Sequence, residues 1–280
     1  MKKILLPTDF SSNSLNAAKY AIELFKEEEC EFFLVNTYTP AFVNSRFMAS
    51  AVHGGLAEEG VQSTSQQGLE ETLDYINAHF KYPKHHFQTI SSFNLLTEEM
   101  KEIVENEKIN LVVTGTKGAS GFDEVFLGSN TVRMIKSIRE CPILAVPENH
   151  WYTQAKRIGF ATDFKRNFSL EVVEPLIKLA KSNNASIHVM HINEQESLSK
   201  CQESNKNVLQ EYLNEVTYTI QRMPYFASKT DVITFFLEDS KIDLLAMIYY
   251  RHGYLEELVR EPVVKRMAFH SEVPLLILPE

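Results

Sequence analysis

The stretch TGTKGASGFDEVFLGSNT, Thr114 to Thr131, places Gly115, Gly118, Gly121 and Gly128 together in a chain that has only ten glycines among 280 residues. Glycine gathered in this way serves the backbone, because it allows positive φ and lets peptide amides approach a ligand closely. Gly128 and Ser129 open a helix-like run, SNTVRMIKSIRE, and the free amides and dipole of a helix start attract anions. Phosphate is the expected guest. Two common phosphate-loop patterns are excluded by spacing: Gly115, Gly118 and Gly121 do not form Gly-x-Gly-x-x-Gly, and Gly-x4-Gly-Lys-Ser/Thr occurs nowhere in the chain. What remains is Gly115, two residues, Gly118, nine residues, then Gly128-Ser129. Lys117 inside the loop is either a counter-charge for phosphate or a solvated lysine, and Gly121 reads as a turn residue.

The elements that must carry this loop alternate regularly. KKILLPTDF is a short apolar run that ends in turn chemistry, and SSNSLNAAKYAIELFKEE follows with Leu15, Ala18, Ala21, Leu24 and Phe25 at helical spacing, capped by Ser11 or Ser12. CEFFLVNTYT is a near-continuous apolar strand of the kind buried on both faces of a parallel sheet. A polar loop with Gly54 and Gly55 leads to the helix LAEEGVQSTSQQGLEETLDYINAHF, the strand FQTISSF and the helix LTEEMKEIVENEKI. NLVVTG is the fourth strand, the glycine loop and its helix follow, and CPILAVP is the fifth. Strands alternating with helices in this way imply a parallel, doubly wound sheet with right-handed crossovers.

The pattern then begins again. RIGFATDF echoes KILLPTDF, ASIHVMHI echoes CEFFLVNT, KIDLLAMI echoes KINLVVTG, and EVPLLILPE echoes ECPILAVPE. The chain is therefore read as a duplicated α/β protein, two tandem doubly wound parallel five-stranded sheets, with units at 1–148 and 155–280. The segment ENHWYTQAK between them reads as a tight linker. The third strand of the second unit is placed at EVTYTIQ in preference to MPYFASK.

Composition narrows the function classes. A net charge of −9 and a pI near 5.6 disfavour a broad electrostatic footprint on nucleic acid or an anionic membrane. No apolar run approaches the roughly 18 residues of a membrane helix, and the opening MKKILLPTDF reads as a strand and not as a targeting segment. Cys30, Cys141 and Cys201 lie far apart, which suits reduced, cytoplasmic usage with no disulfide framework.

With the loop spacing, the opening Pro7-Thr8-Asp9-Phe10-Ser11 and the duplication in place, the sequence resembles the universal stress protein family, whose nucleotide-binding members carry Gly-x2-Gly-x9-Gly-Ser/Thr after the fourth strand. The resemblance implies an adenine nucleotide alpha hydrolase-like fold with sheet order 3-2-1-4-5, and an adenine nucleotide as ligand: ATP first, with ADP and AMP left open. It places Gly115 and Gly118 along the ribose and first phosphate. Gly128, Ser129 and Asn130 would donate amides to the outer phosphates. Thr37 would meet adenine through its backbone, with Pro7 and Thr8 shaping the wall between. Asp9 either faces the nucleoside, and magnesium if that ion is present, or serves as a helix cap. The family also pairs last strands between domains, so PILAVP and PLLILP are expected to pair within one chain as an intramolecular pseudo-dimer, with association into a further homodimer left open.

The second unit departs from the pattern. Gly115 and Gly118 align with Ile248 and Arg251, and Gly128 and Ser129 with Arg260 and Glu261. A branched residue resists positive φ and a carboxylate repels phosphate, so this unit is expected to bind no ATP. Arg251, His252 and Arg260 are either an anion site or solvated cations. The histidines at 85, 86, 188 and 191 show no zinc spacing and read as hydrogen-bonded or exposed residues. No nucleophile has a base at recognisable spacing, so a binding module is expected, with slow ATP hydrolysis or a purely structural interaction role as the alternatives.

Overall fold

The computed structural model describes residues 1–38, 56–116, 127–193, 197–224, 229–250 and 273–280. The loop at Gly54 and Gly55, the loop residues Lys117, Gly118 and Gly121, and Arg251, His252, Arg260 and Glu261 lie outside them. The first unit consists of β1 (Lys2–Pro7), α1 (Ser12–Leu24), β2 (Cys30–Tyr38), α2 (Leu56–His79), β3 (His85–Phe93), α3 (Leu96–Glu107), β4 (Leu111–Gly115), α4 (Ser129–Ser137) and β5 (Ile143–Val146). The second consists of β6 (Arg157–Ala161), α5 (Leu170–Asn183), β7 (Ser186–Asn193), α6 (Lys200–Tyr212), β8 (Tyr218–Pro224), α7 (Lys229–Asp239), β9 (Leu244–Tyr249) and β10 (Leu275–Pro279).

Each unit has its strands parallel in the order 3-2-1-4-5, and the two join into one ten-stranded sheet, β3-β2-β1-β4-β5-β10-β9-β6-β7-β8. Among the described residues the join is the only antiparallel pairing: Leu275 faces Ala145, Leu276 faces Leu144 and Ile277 faces Ile143. All six side chains are buried. The last strands thus cover each other's edges, which would otherwise present unpaired amides and carbonyls beside an apolar surface.

Apolar alternation within the strands supplies both faces of the sheet. Ile4, Leu6, Phe32, Leu34, Leu144 and Leu276 belong to one buried layer with α1, α2, α5 and α6. Leu5, Phe33, Val35, Ile143 and Ile277 belong to the other with α3, α4 and α7. Both layers run across the β5–β10 join, so the two units share their cores. Near-continuous hydrophobic strands are what a sheet covered on both faces requires.

The third strand of the second unit runs Tyr218–Pro224, three residues beyond the start expected from EVTYTIQ. A short helical turn at Leu213–Glu215 takes up the first of those residues, with the Val216 amide donating back to the Leu213 carbonyl. The segment after β5 packs on α1. Asn16 of α1 donates to the carbonyls of Pro147 and His150, both at 3.0 Å, and the Tyr20 ring packs edge-on to Tyr152 with centroids 5.3 Å apart.

Candidate functional site

At the switch point between β1 and β4 the sheet's crossovers change direction, which is where doubly wound folds bind ligands. The residues that the sequence singled out converge there from three strands. Pro7 ends β1 and is buried, while Asp9 is exposed. Thr8 continues the sheet, its amide donating to the Val35 carbonyl at 2.8 Å. Its side-chain oxygen accepts from the Phe10 amide at 3.0 Å and lies 3.0 Å from Ser14 Oγ.

The Asp9 carboxylate orders the turn without being the helix cap. Asp9 Oδ1 accepts from the Ser11 amide at 3.1 Å and from Ser11 Oγ at 2.6 Å. Ser11 is the cap, its side chain accepting from the Ser14 amide. Phe10 takes a left-handed φ of 63° in this turn, a conformation rare for an aromatic residue. Its ring lies on α2 against Gly68, where a Cβ would stand 2.6 Å from the ring.

β2 contributes Asn36 and Thr37 at its carboxyl end. Asn36 Nδ2 donates to the Thr8 carbonyl at 2.7 Å, tying the ends of the two strands together. Thr37 is half-buried one residue further on, in register with Ser92 of β3.

β4 ends at Gly115, which is buried against Asn13 of α1. A Cβ at this position would stand 2.6 Å from Asn13 Cγ and Nδ2. The backbone at Gly115 is not left-handed. Close approach, and not the positive φ expected from the sequence, is what demands glycine here. It follows that Ile248 in the second unit needs no unusual φ either; it is simply too large for the arrangement around Gly115.

Two hydrogen bonds lock the start of α4 to the end of β4. The Gly128 amide donates to the Thr116 carbonyl, and the buried Thr131 hydroxyl donates to the Gly115 carbonyl at 2.9 Å. Gly128 is the cap residue in extended conformation and offers no side chain to the helix amides. Ser129 and Asn130 are exposed at that first turn. The Gly128 amide is used within the protein, and the first intrahelical bond runs from the Val132 amide to the Gly128 carbonyl, so the amides of Ser129, Asn130 and Thr131 are the ones at this helix start that have no intrahelical acceptor.

Sequence reasoning missed Asn13 and Thr131. Both are polar residues in the first turn of a helix, where they read as local capping chemistry, yet both are buried against Gly115. Gly115 lies far from Asn13 in sequence and 16 residues from Thr131, and the burial exposes their role. The structure brings together Pro7, Thr8, Asp9, Thr37, Gly115, Gly128, Ser129 and Asn130 at one sheet edge; Gly118 lies outside the described residues.

The second unit keeps the turn and changes the mouth. Thr162, Asp163 and Phe164 repeat Thr8, Asp9 and Phe10 with the same bonds: Phe164 amide to Thr162 Oγ1 at 3.2 Å, Lys165 amide to Asp163 Oδ1 at 2.9 Å, and φ of 54° at Phe164. His191 replaces Asn36, with Nδ1 3.2 Å from the Thr162 carbonyl. At the end of β9, however, buried Ile248 stands where Gly115 stands in β4, in the same register against the first strand. Asn167, the counterpart of Asn13, is exposed, and α5 begins only at Leu170.

His85 and His188 have hydrogen-bond partners. His85 Nε2 lies 3.0 Å from the Phe25 carbonyl, and burial holds its pKa below the ordinary value. His188 sits between Ser186 Oγ and Thr219 Oγ1 at 2.9 and 3.1 Å; burial, with a smaller effect from the Arg157 charge, lowers its pKa too. Burial pushes the Cys30 thiol up to about 11 and the Cys141 thiol up to about 12. All three cysteines are free, and Cys201 is exposed.

Comparison with known proteins agrees with this geometry. The model of the universal stress protein family matches residues 1–147, and the chain belongs to that family. It is 32% identical over 147 residues to universal stress protein MJ0531 of Methanocaldococcus jannaschii, a match covering 52% of this chain and 81% of that protein. It is 28% identical over 155 residues to universal stress protein MJ0577 of the same organism, covering 52% and 94%. Among solved structures, a universal stress protein from Archaeoglobus fulgidus superposes with a TM-score of 0.71 at 16% identity, covering 99% of this chain and 96% of that one. The fold of that structure therefore spans both units.

Proposed function

We propose that the first unit binds an adenine nucleotide, ATP being the expected ligand, and that the protein is a cytoplasmic regulatory module of the stress response and not a fast catalyst. The observation that carries this reading is the start of α4. A helix with no side-chain cap is held by Thr116 and Thr131 at the end of β4, beside the β1 turn and the end of β2. Phosphates would take the amides of Ser129 and Asn130, the ribose would lie along Gly115 and Gly118, and adenine would meet Thr37. Pro7 and Thr8 form the wall, and the exposed Asp9 carboxylate is the group that would face magnesium.

The division into units at 1–148 and 155–280 and the arrangement as an intramolecular pseudo-dimer belong to the same proposal, supported by the β5–β10 pairing. The second unit, with Ile248 at the critical position, is the partner that binds no ATP. Nucleotide released from the freshly purified chain by denaturation and identified by mass tests this directly. An adenine nucleotide is expected at no more than one per chain, and a steady hydrolysis rate above about 1 s⁻¹, ordinary for an enzyme, would replace binding with turnover as the function.

A further inference from the structure

The second unit carries a cavity of about 350 Å³ between α6 and the edge strand β8, with Phe164, His191, Lys206, Tyr218, Ile220 and Arg222 among its lining residues. The repeat is unequal at this place. α2 covers its strands with 24 residues, whereas α6 has only 13. Three contacts anchor α6 around the cavity: Gln202 Nε2 donates to the Asp163 carbonyl at 2.8 Å, Asn205 Nδ2 to the Phe164 carbonyl at 2.8 Å, and Gln210 Nε2 to the Tyr218 hydroxyl at 3.4 Å. The space is therefore bounded by fixed elements on both sides.

The chemistry of the walls is consistent. In the β7–β8 register Val189 faces Ile220 and His191 faces Arg222, so these side chains share the face under α6. The His191 ring is fixed by the Thr162 carbonyl and packs on Phe164 with centroids 5.1 Å apart. Phe164, Tyr218 and Ile220 form an apolar and aromatic floor. Lys206 and Arg222 place two cations at the rim, and among the described residues that line it there is no carboxylate. Glu203 approaches Lys206 at 3.5 Å from the neighbouring turn of the helix, a partly exposed pair of the kind that solvent weakens.

We propose that this cavity is a binding site for a small organic anion, a single flat ring bearing one carboxylate or one phosphate. The volume sits at the lower end of the roughly 300–1,000 Å³ of small-molecule pockets, which leaves room for one substituted ring. The ring stacks over the aromatic floor and the anionic group reaches Arg222 and Lys206, charge-assisted bonds being the strong ones at such a rim. The site is independent of the first unit's nucleotide mouth.

Calorimetric titration of the full-length chain with benzoate, phenyl phosphate and the neutral analogue benzamide tests it, in a Gly118→Trp background that removes the first unit's expected phosphate site from the readout. At least one charged probe is expected to bind saturably at one site per chain, more tightly than benzamide, and to weaken as salt rises. The preferred probe distinguishes a carboxylate ligand from a phosphate one. The double variant Lys206→Gln with Arg222→Gln, at positions that leave the core intact, is expected to weaken binding about tenfold or more. Ile220→Trp, which fills the floor, is expected to abolish it. Absence of saturable binding by either charged probe, equal binding of benzamide, or unchanged affinity in the double variant overturns the proposal.

Discussion

The Asn13 side chain lies so close over Gly115 that a single added carbon on the glycine would stand 2.6 Å from Asn13 Cγ. The end of the fourth strand and the first turn of α1 are thus fitted to one another across the mouth where the first unit is proposed to hold its nucleotide. Gly115→Val forces Asn13 or the strand to move, and overpacking of this kind costs about 1–3 kcal/mol. Urea unfolding is expected to show that loss and calorimetry a weaker ATP response. Asn13→Ala in the same chain is expected to recover part of the stability, whereas an unchanged Gly115→Val protein would remove the close-packing argument.

Thr131 holds the start of α4 through the Gly115 carbonyl. Thr131→Val keeps the shape, removes the donor and leaves the carbonyl buried, a change worth about 1–3 kcal/mol. Stability and ATP affinity are both expected to fall, because the helix amides lose their position. Equal ATP affinity in wild type and variant, measured by calorimetry, would mean that this anchor does not position the phosphate donors.

The two units share their cores through Leu144 and Leu276 at the antiparallel join. Leu276→Ala is expected to destabilise the chain by roughly 2–5 kcal/mol, and calorimetric melting is expected to remain a single transition. A melt that separates into two steps in the wild-type protein would show that the join does not couple them.

His85 and His188 have pKa values held below the ordinary 6.5 in the folded protein, chiefly by burial. The unfolded chain therefore takes up protons first as pH drops, and folding stability declines as pH falls through 6.5 toward the folded-state values. At His85 burial outweighs the Phe25 carbonyl, which faces Nε2 and favours the charged ring, and buried Nδ1 would carry its proton without a hydrogen-bond acceptor among the described residues. Urea unfolding between pH 7.5 and 5.5 is expected to show the decline, with a shallower slope in His85→Gln. An NMR titration that placed the His85 pKa at or above 6.5 would contradict it.

Thiol reactivity separates the three cysteines. Cys30 and Cys141 are buried, with thiols pushed up to about 11 and about 12, and Cys201 is exposed. The thiolate is the reactive species, so an aromatic disulfide reagent is expected to titrate Cys201 rapidly in the native protein and the other two only on unfolding. Cys201→Ser should abolish the fast phase; its persistence would place a second thiol at the surface.

Much of this architecture was legible in the residues. Alternating strands and helices, with Leu5 and Leu6 both apolar in KKILLP, demanded a sheet covered on both faces, and the repeated Thr-Asp-Phe turns announced the duplication. What resisted reading depended on contacts distant in sequence. The left-handed backbone at Phe10 and Phe164 has no signature in an aromatic residue. Asn13 and Thr131 looked like helix-cap chemistry until burial set them beside Gly115. β8 began three residues late because a short helical turn intervened, and the cavity between α6 and β8 is formed by residues of separate elements, which local periodicity does not encode.

The central claim is that one mouth of the sheet, in the first unit alone, receives an adenine nucleotide. Calorimetric titration of the wild-type chain and of Gly118→Trp with ATP tests it most directly. One site per chain, lost in the variant while the fold by circular dichroism is kept, is the predicted result. Two sites per chain, or a single site that survives the substitution, would contradict it.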